Sequence, residues 1–422
     1  MNIKTLKGMK DVLPSDSAKW QYIEDNIRKI CARNGFFEVR TPILEHSELF
    51  LRGVGETTDI VQKEMYTFTD KGERSVTLKP EGTAGVVRMF CEHNLGYEPQ
   101  PVKMYYLNSP IFRYENPQAG RLREHHQFGV EVFGAKLAAA DAECIALVFE
   151  LLTTLGVTDL SVSINSIGCK KCRPTYNAKL KEYLQAKEDS LCGTCKTRLQ
   201  QNPLRILDCK VPTCKEVCAC APKTTDCLCE ECENHFNELK TFLCEMEIKY
   251  NVNPLIVRGL DYYTKTVFEV VSTALGSQDA VCGGGRYDDL VSELGGPETP
   301  AVGFGMGMER LIMMLENLGV ELPTQQKIDV YIASVGDKAL LASIKLAYEL
   351  RKQGIYAEFD HVGRSIKAQF KYADKAGAKS VIVIGENELE NGIFKLKNMA
   401  DGNEVEINFN SAVEQIKTNF EV

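Results

Sequence analysis

The sequence predicts an α+β protein: an antiparallel sheet flanked by helices, a cysteine-rich and mainly helical insert, and a C-terminal α/β domain with a mixed sheet. Three observations carry this. Strand-like segments rich in β-branched and aromatic residues alternate with helical stretches on both sides of residues 169–250. Twelve of the 16 cysteines fall between Cys169 and Cys244, where the strand pattern stops. After about Lys327 a strand–helix–strand–helix–strand rhythm sets in. The expected domains are a core of residues 1–168 and 251–322, an insert of 169–250, and a last domain of 327–422.

Each element has a local reason. "SDSAKWQYIEDNIRKICARNG" carries apolar residues at helical spacing, with Ser15 or Asp16 as a cap and Gly35 as a stop. "FFEVRTPILE" reads as a strand stopped or edged by Pro42, and "SVTLKPEGT" as a strand closing on Pro80. "GTAGVVRMFCEHNLG" is the next helix. "VKMYYLNSPIFRYE" and "LREHHQFGVEVFG" read as strands around the short loop "NPQAGR". "AADAECIALVFELLTTLG" is a helix and "DLSVSINSIG" a strand. Strand character resumes in "VRGLDYYTKTVFEVV", and "AVGFGMGMERLIMMLENLG" is a glycine-rich strand running into a helix. Past the linker "VELPTQQK" come "DVYIASVG", "KALLASIKLAYELRKQG", "IYAEFD", "SIKAQFKYADKAG" and "SVIVIG", then strands "GIFKLKNM" and "EVEINF" and a final helix.

The bulk numbers set limits on function. The chain has 422 residues, 26% of them charged, and a net charge of -8. No apolar run of about 18 residues exists to span a bilayer. The N-terminus lacks the apolar core of a secretory signal, so a cytoplasmic location is expected. The acidic balance neither supports nor excludes nucleic acid, because a local patch can do the electrostatic work.

Chemistry concentrates on one face. Side chains alternate along a strand, so Arg123, His125, Gln127 and Glu131 share a face, with Gly129 between them. Arg113 and Glu115 share a face of the preceding strand. A solvated outer face would also be polar, but glutamine, glycine and histidine are poor fillers for one. "KPEGT" puts Glu81 at a helix start with Thr83 beside it. "CGGGRYDDL" runs three glycines into Arg286 and Tyr287, and "GFGMGMERL" strips one strand face bare before Arg310. Either bare face would let a flat ligand or another backbone approach. In "VRGLDYYT", Arg258 and Tyr263 have opposite parity, so a turn or bulge near Gly259 is expected if both are to point inward.

These residues carry a resemblance. "FRYENPQAGRLREHHQFGVEVFG" resembles the second signature of class II aminoacyl-tRNA synthetases, "GFGMGMERL" the third, and the region around Pro42 the first. "RGLDYYTKTVFE" and "CGGGRYDDL" resemble the two signatures peculiar to histidyl-tRNA synthetases. The resemblance covers almost the whole chain. It implies a class II catalytic core that joins L-histidine to ATP, with Mg2+, and passes the histidyl group to tRNA(His). In catalysis it implies Arg113 and Arg258 on the α-phosphate, with Arg258 also on the histidine carboxylate. Arg310 would bind the γ-phosphate end, Arg121 and Arg123 the bent triphosphate, and Glu115 the adenine amino group. His125 stands where the family often has an aromatic residue stacked on adenine. Glu131 and Tyr263 would meet the imidazole, Glu81, Thr83 and Gln127 the α-ammonium, and Tyr287 would line the pocket. Gln118 would reach the tRNA acceptor end. The last domain resembles the anticodon-binding domain of this group, with "DHVGRSIKAQFKYA" as the candidate surface. A twofold homodimer built through the first signature is also implied.

The cysteines suggest structural zinc. Cys169/Cys172, Cys192/Cys195 and Cys229/Cys232 are CxxC pairs, and Cys209 and Cys214 form a wider one. The first two pairs meet zinc-ribbon spacing. Eight cysteines suffice for two sites of four thiolates, with the pairing open; free thiols in a helical insert are the alternative. Such an insert is too small for a large core, and the resemblance implies a clamp on the tRNA acceptor arm. Two other readings compete with a synthetase. One is the synthetase-like regulatory subunit of ATP phosphoribosyltransferase, which usually lacks the last domain and loses active-site signatures. The other is a zinc-ribbon nucleic-acid-binding protein with an inactive enzyme core.

Overall fold

The computed structural model describes residues 3–55, 58–117, 120, 122–272 and 280–420. The chain divides into two compact units, Met1–Pro323 and Thr324–Val422.

The first unit is built on an eight-stranded sheet. Its strands run, edge to edge, Phe37–Glu38, Val102–Phe112, Glu124–Phe133, Ala301–Gly307, Ala280–Arg286, Thr264–Ser272, Leu160–Ser166 and Tyr250–Val252. Pairing is antiparallel except at the two margins, where Phe37–Glu38 and Tyr250–Val252 add in parallel. The expected single strand around Pro42 is split. Phe37–Glu38 joins the large sheet, while Leu44–His46 joins a separate three-stranded sheet with Ser75–Leu78 and Tyr66–Thr69. Proline cannot donate to a ladder, so the chain changes sheets across it.

One face of the large sheet is sealed by helices Pro14–Arg33, Ala138–Thr154 and Met308–Asn317. Ile23, Ile27, Ile30, Leu147, Leu151 and Leu311 are buried there against Phe128, Val130, Phe268 and Phe304. The first helix starts at Pro14 rather than on a Ser15 or Asp16 cap. Proline at the first position loses no hydrogen bond, since that N–H has no partner in the helix anyway. Gly35 follows with φ +72°, the left-handed stop expected of it.

The cysteine-rich segment forms helices Arg173–Gln185, Gly193–Gln201, Pro212–Ala219 and Glu230–Glu245. The first three surround a small core of Tyr176, Leu180, Leu199 and Ile206. The fourth lies elsewhere: its Phe236, Leu239 and Leu243 are buried in the main core, where it packs on Ala138–Thr154.

The second unit is a five-stranded sheet in the order Ala357–Phe359, Val330–Ser334, Ser380–Ile384, Ile393–Asn398 and Glu404–Asn408. The first three pair in parallel and the last two antiparallel, so the sheet is mixed. Helix Ile366–Lys375, from the "SIKAQFKYADKAG" stretch, exposes Lys367, Lys371 and Lys375. Its Gln369 is buried and bonds the backbone of Ser334 through both amide atoms, at 3.0 and 2.9 Å.

Candidate active site

The second face of the large sheet carries the polar constellation. Strand Glu124–Phe133 presents His125, Gln127 and Glu131 on one side by simple alternation. Glu131 is 1% exposed and surrounded by hydroxyls. Thr83 Oγ1 donates to its Oε1 at 2.8 Å, Tyr106 Oη to the same oxygen at 3.4 Å, and Tyr287 Oη to Oε2. Burial pushes the carboxyl up to about 8, and the hydroxyls only partly offset it.

The glycines explain how such a carboxylate fits. Gly303 and Gly305 pair with Glu131 and Gly129 on the neighbouring strand. A Cβ on Gly303 would strike Glu131 Oε2, and one on Gly305 the Gln127 amide. The bare face is thus occupied by the protein's own side chains. Gly283 does the same for the Arg258 guanidinium, and Gly285 for the Tyr263 ring.

Glu81 lies at the start of helix Thr83–Glu92. Its oxygens accept from the backbone N–H of Thr83 at 2.8 Å and of Ala84 at 2.6 Å, satisfying two donors the helix cannot. Tyr262 Oη donates to it at 3.5 Å. Arg113 follows strand Val102–Phe112, and its Nε donates to Pro80 O at 2.7 Å, which ties it to the Glu81 loop. A register shift between Tyr106 and Ser109 resets the parity of that strand ahead of Arg113.

The chain turns where Arg258 and Tyr263 require it: residues 259–262 bend, and the regular strand starts at Thr264. Both side chains then reach the same region, with the guanidinium 5.8 Å from the Tyr263 ring centre. Arg258 Nη1 bonds Glu269 Oε1 at 2.8 Å, while its Nε is buried without a partner among the described residues. Gln127 Oε1 is a second such orphan. Buried polar atoms without partners are uncommon, and these two lie on the face that carries the candidate site.

Arg123 stacks its guanidinium 4.0 Å from the Tyr114 ring and donates from Nε to Glu115 O at 3.1 Å. Its N–H bonds Gly8 O at 2.8 Å, so the N-terminal segment lies against this hairpin, a contact no pattern announced. His125 is neutral near pH 7 because burial, helped by Arg113, lowers it to about 4. Arg310 sits in the first turn of helix Met308–Asn317, with its stem beside Gly120 and Gly307. Gln118 and Arg121 lie outside the described residues. Arg286, from the glycine-rich signature, points away from this face. It is fully buried in a pair with Asp141 and bonds the carbonyls of Ala135 and Leu137.

The cysteines form two clusters. Cys169, Cys172, Cys229 and Cys232 make one; Cys192, Cys195, Cys209 and Cys214 make the other. The zinc-ribbon spacing of the first two pairs does not hold: each finds its partner further along the chain. Within each set the sulfurs lie within 4.8 Å of one another, with Cys169 to Cys172 at 3.7 Å, Cys169 to Cys229 at 3.8 Å and Cys192 to Cys209 at 3.9 Å. A tetrahedral ion with bonds of about 2.3 Å needs sulfur–sulfur edges of about 3.8 Å, so the donor set fits zinc. Backbone N–H groups of Lys171, Cys229 and Cys192 point at Cys169, Cys172 and Cys214, as sulfurs carrying negative charge favour.

The comparisons agree with this geometry. A family model described as histidyl-tRNA synthetase matches residues 8–311, and one described as an anticodon binding domain matches 329–419. The chain belongs to the histidyl-tRNA synthetase family. A histidine–tRNA ligase from Caldanaerobacter subterraneus subsp. tengcongensis is 57% identical over 99% of this chain and 100% of its own. One from Clostridium perfringens is 55% identical over 99% and 100%. The crystal structure of the apo histidyl-tRNA synthetase of S. aureus superposes with a TM-score of 0.83 at 39% identity, covering 99% of this chain and 100% of that one. Family membership gives the constellation around Glu131 and Arg258 a role to be tested, and gives the second unit the description of an anticodon binding domain.

Proposed function

We propose that the protein ligates L-histidine to tRNA(His) in two steps, forming histidyl-adenylate from ATP and then esterifying the tRNA, with AMP and pyrophosphate released. The observation that carries this reading is the shared sheet face, which holds the buried Glu131 carboxyl and two orphaned polar atoms, Gln127 Oε1 and Arg258 Nε. The attacking histidine carboxylate is already ionised, so no general base is needed. Catalysis is positioning plus stabilisation of charge on the α-phosphate. Arg113 and Arg258 supply that charge, and a guanidinium is always protonated and rigid enough to hold two oxygens. Arg123, Arg121 and Arg310 hold the rest of the triphosphate, on which Mg2+ accompanying ATP would supply further positive charge. Glu115 meets the adenine amino group and neutral His125 stacks on the ring.

Glu131 and Tyr263 take the two imidazole nitrogens. Thr83 and Tyr287, which already bond Glu131, fix its orientation, and Tyr287 also lines the pocket. Gln127 Oε1 accepts from the α-ammonium beside Glu81 and Thr83. A pocket that must hydrogen-bond both ring nitrogens rejects amino acids lacking them, because its buried groups are then left unpaired. Gln118 contacts the acceptor end. The second unit reads splayed anticodon bases, with the lysines of Ile366–Lys375 as the phosphate contacts.

Each cysteine cluster holds one structural Zn2+, which supplies cross-links to an insert with little core of its own. A homodimer forms through the segment around Pro42, where Phe37, Ile43 and Leu44 are exposed. The protein works in the cytoplasm; no helix among the described residues is long and apolar enough to cross a membrane. The regulatory-subunit alternative is not favoured, because the chain carries the anticodon domain and full-length similarity to ligases. The deciding experiment is histidine-dependent ATP–pyrophosphate exchange, followed by charging of tRNA(His). Folded protein without exchange overturns the reading.

A further inference from the structure

Two polar side chains of the insert reach the turn that carries Arg258, and a third braces Arg205 from its own side. Arg205 Nη1 donates to Arg258 O at 2.9 Å. Asn202 Nδ2 donates to Asp261 Oδ1 at 3.1 Å. Arg198 Nη2 pairs with Asp59 Oδ2 at 2.6 Å, and its Nη1 donates to Arg205 O at 3.3 Å. All three lie between Cys195 and Cys209, on a stretch closed at both ends by one cysteine cluster. On the other side, Arg173 follows Cys172 of the first cluster directly and donates to Tyr263 O. Leu255 and Val257, which lead into the turn, pack on the insert core beside Ile206. The regular strand starts only at Thr264; within the turn, Asp261 N–H bonds Val54 O at 3.2 Å, while the carbonyls of Arg258 and Tyr263 are held by arginines of the insert. A cavity of about 300 Å³ separates the two parts, lined among others by Asn177, Arg205, Arg258 and Tyr263.

We propose that Arg205 is a positioning residue for histidine activation: it fixes the carbonyl of Arg258, and the cluster Cys192, Cys195, Cys209 and Cys214 holds Arg205 in place. The insert then acts on the first chemical step, before any tRNA is bound. The inference rests on the synthetase reading above, and its consequence is specific. Loss of Arg205 frees the Arg258 backbone while leaving Arg113, Arg123 and Arg310 to hold ATP, so KM for histidine rises and kcat falls, because Arg258 also meets the α-phosphate, while KM for ATP is kept.

The test is tRNA-free pyrophosphate exchange on full-length Arg205→Ala, Arg205→Lys and Cys214→Ser. Arg205→Ala lowers kcat/KM for histidine by about 10- to 100-fold, the range of a lost charge-assisted hydrogen bond, while KM for ATP stays within about twofold. Arg205→Lys recovers part of the loss. Melting temperature and bound metal in Arg205→Ala match the wild type. Cys214→Ser loses one of two metal equivalents and shows the same histidine defect, and adding Arg205→Ala makes it no more than about threefold worse, as expected of residues acting through one contact. Normal exchange in Arg205→Ala with impaired charging of tRNA overturns the proposal and leaves the insert a tRNA contact only. An equal rise in KM for histidine and for ATP also overturns it. If Cys214→Ser does not fold, the two Arg205 variants still decide. Absence of exchange in the wild type is a separate result, and it defeats the synthetase reading instead.

Discussion

Arg286→Ala should be among the most destabilising single changes in the first unit, although its neighbour Tyr287 bonds Glu131 in the candidate site. The side chain is fully buried, and so is Asp141. Arg286 Nε lies 3.3 and 3.2 Å from the two Asp141 oxygens, and Nη2 reaches Oδ2 as well. Nη1 donates to Ala135 O at 2.7 Å and Asp288 Oδ1 at 3.2 Å, and Nη2 to Leu137 O at 3.2 Å. Truncation leaves His235 Nε2, at 3.4 Å, as the remaining ion-pair partner of Asp141 among the described residues. Removing one partner of a buried pair strands a charge and costs about 3–5 kcal/mol. For a unit of this size that corresponds to a melting temperature lower by about 5–10 °C. Urea and thermal unfolding measure it. The double variant Arg286→Met with Asp141→Leu removes both charges and should recover most of the loss. If Arg286→Ala stays within about 1 kcal/mol of wild type, or the double variant is no better than the single, the pair is not what the geometry says it is. Acid gives an independent check. Burial alone would raise Asp141, but Arg286 and His235 outweigh it and hold the carboxyl well below its usual range. The pair's contribution is present above about pH 3.9, the unfolded value, and is lost as pH falls further.

Arg258→Ala should cut histidine-dependent exchange by about 100- to 1000-fold and change tRNA affinity by less than about threefold; equal effects on both would make the arginine structural. Glu131 gives the opposite pH sign to Asp141. Its carboxyl is raised by burial to about 8, so its stabilising contribution is full below about pH 4.3 and is lost as pH rises through that window to about 8. Unfolding of wild type and Glu131→Gln at pH 5 and pH 8 should therefore show the wild type losing ground to the variant at the higher pH, and parallel curves would refute the shift. Gly303→Ala should cost about 1–3 kcal/mol and raise KM for histidine, because its methyl meets the Glu131 carboxylate and the Val130 carbonyl. Wild-type KM in that variant would mean Glu131 does not bind substrate from its observed position. Protein purified without chelator should carry about two zinc ions per chain by elemental analysis, and Cys192→Ser about one.

The elements were largely legible because helix and strand patterns depend on neighbours a few residues apart. The helix Ala138–Thr154 and the strand Glu124–Phe133 came straight from periodicity, and parity alone put His125, Gln127 and Glu131 on one face. Parity also required a turn before Tyr263, and the chain bends at 259–262. The three-stranded sheet was not legible. Tyr66–Thr69 is short, and nothing local reveals that Leu44–His46 leaves the main sheet after Pro42.

By itself, then, the sequence determined the order of the main elements, the polar strand face, the cysteine-rich segment and the resemblance that names the chemistry. Tertiary structure decided which residues meet. Cys169 and Cys229 are 60 positions apart and Arg286 and Asp141 are 145 apart, distances over which no local pattern carries information. An arginine reads alike in the chain whether it ends beside a phosphate site, as Arg258 is proposed to, or locked to a buried aspartate, as Arg286 is. The same holds for a glycine run, whose open space was taken by Glu131, Gln127 and Arg258. Burial and packing choose between such outcomes, because a charge removed from water must find its partner wherever the fold has put one.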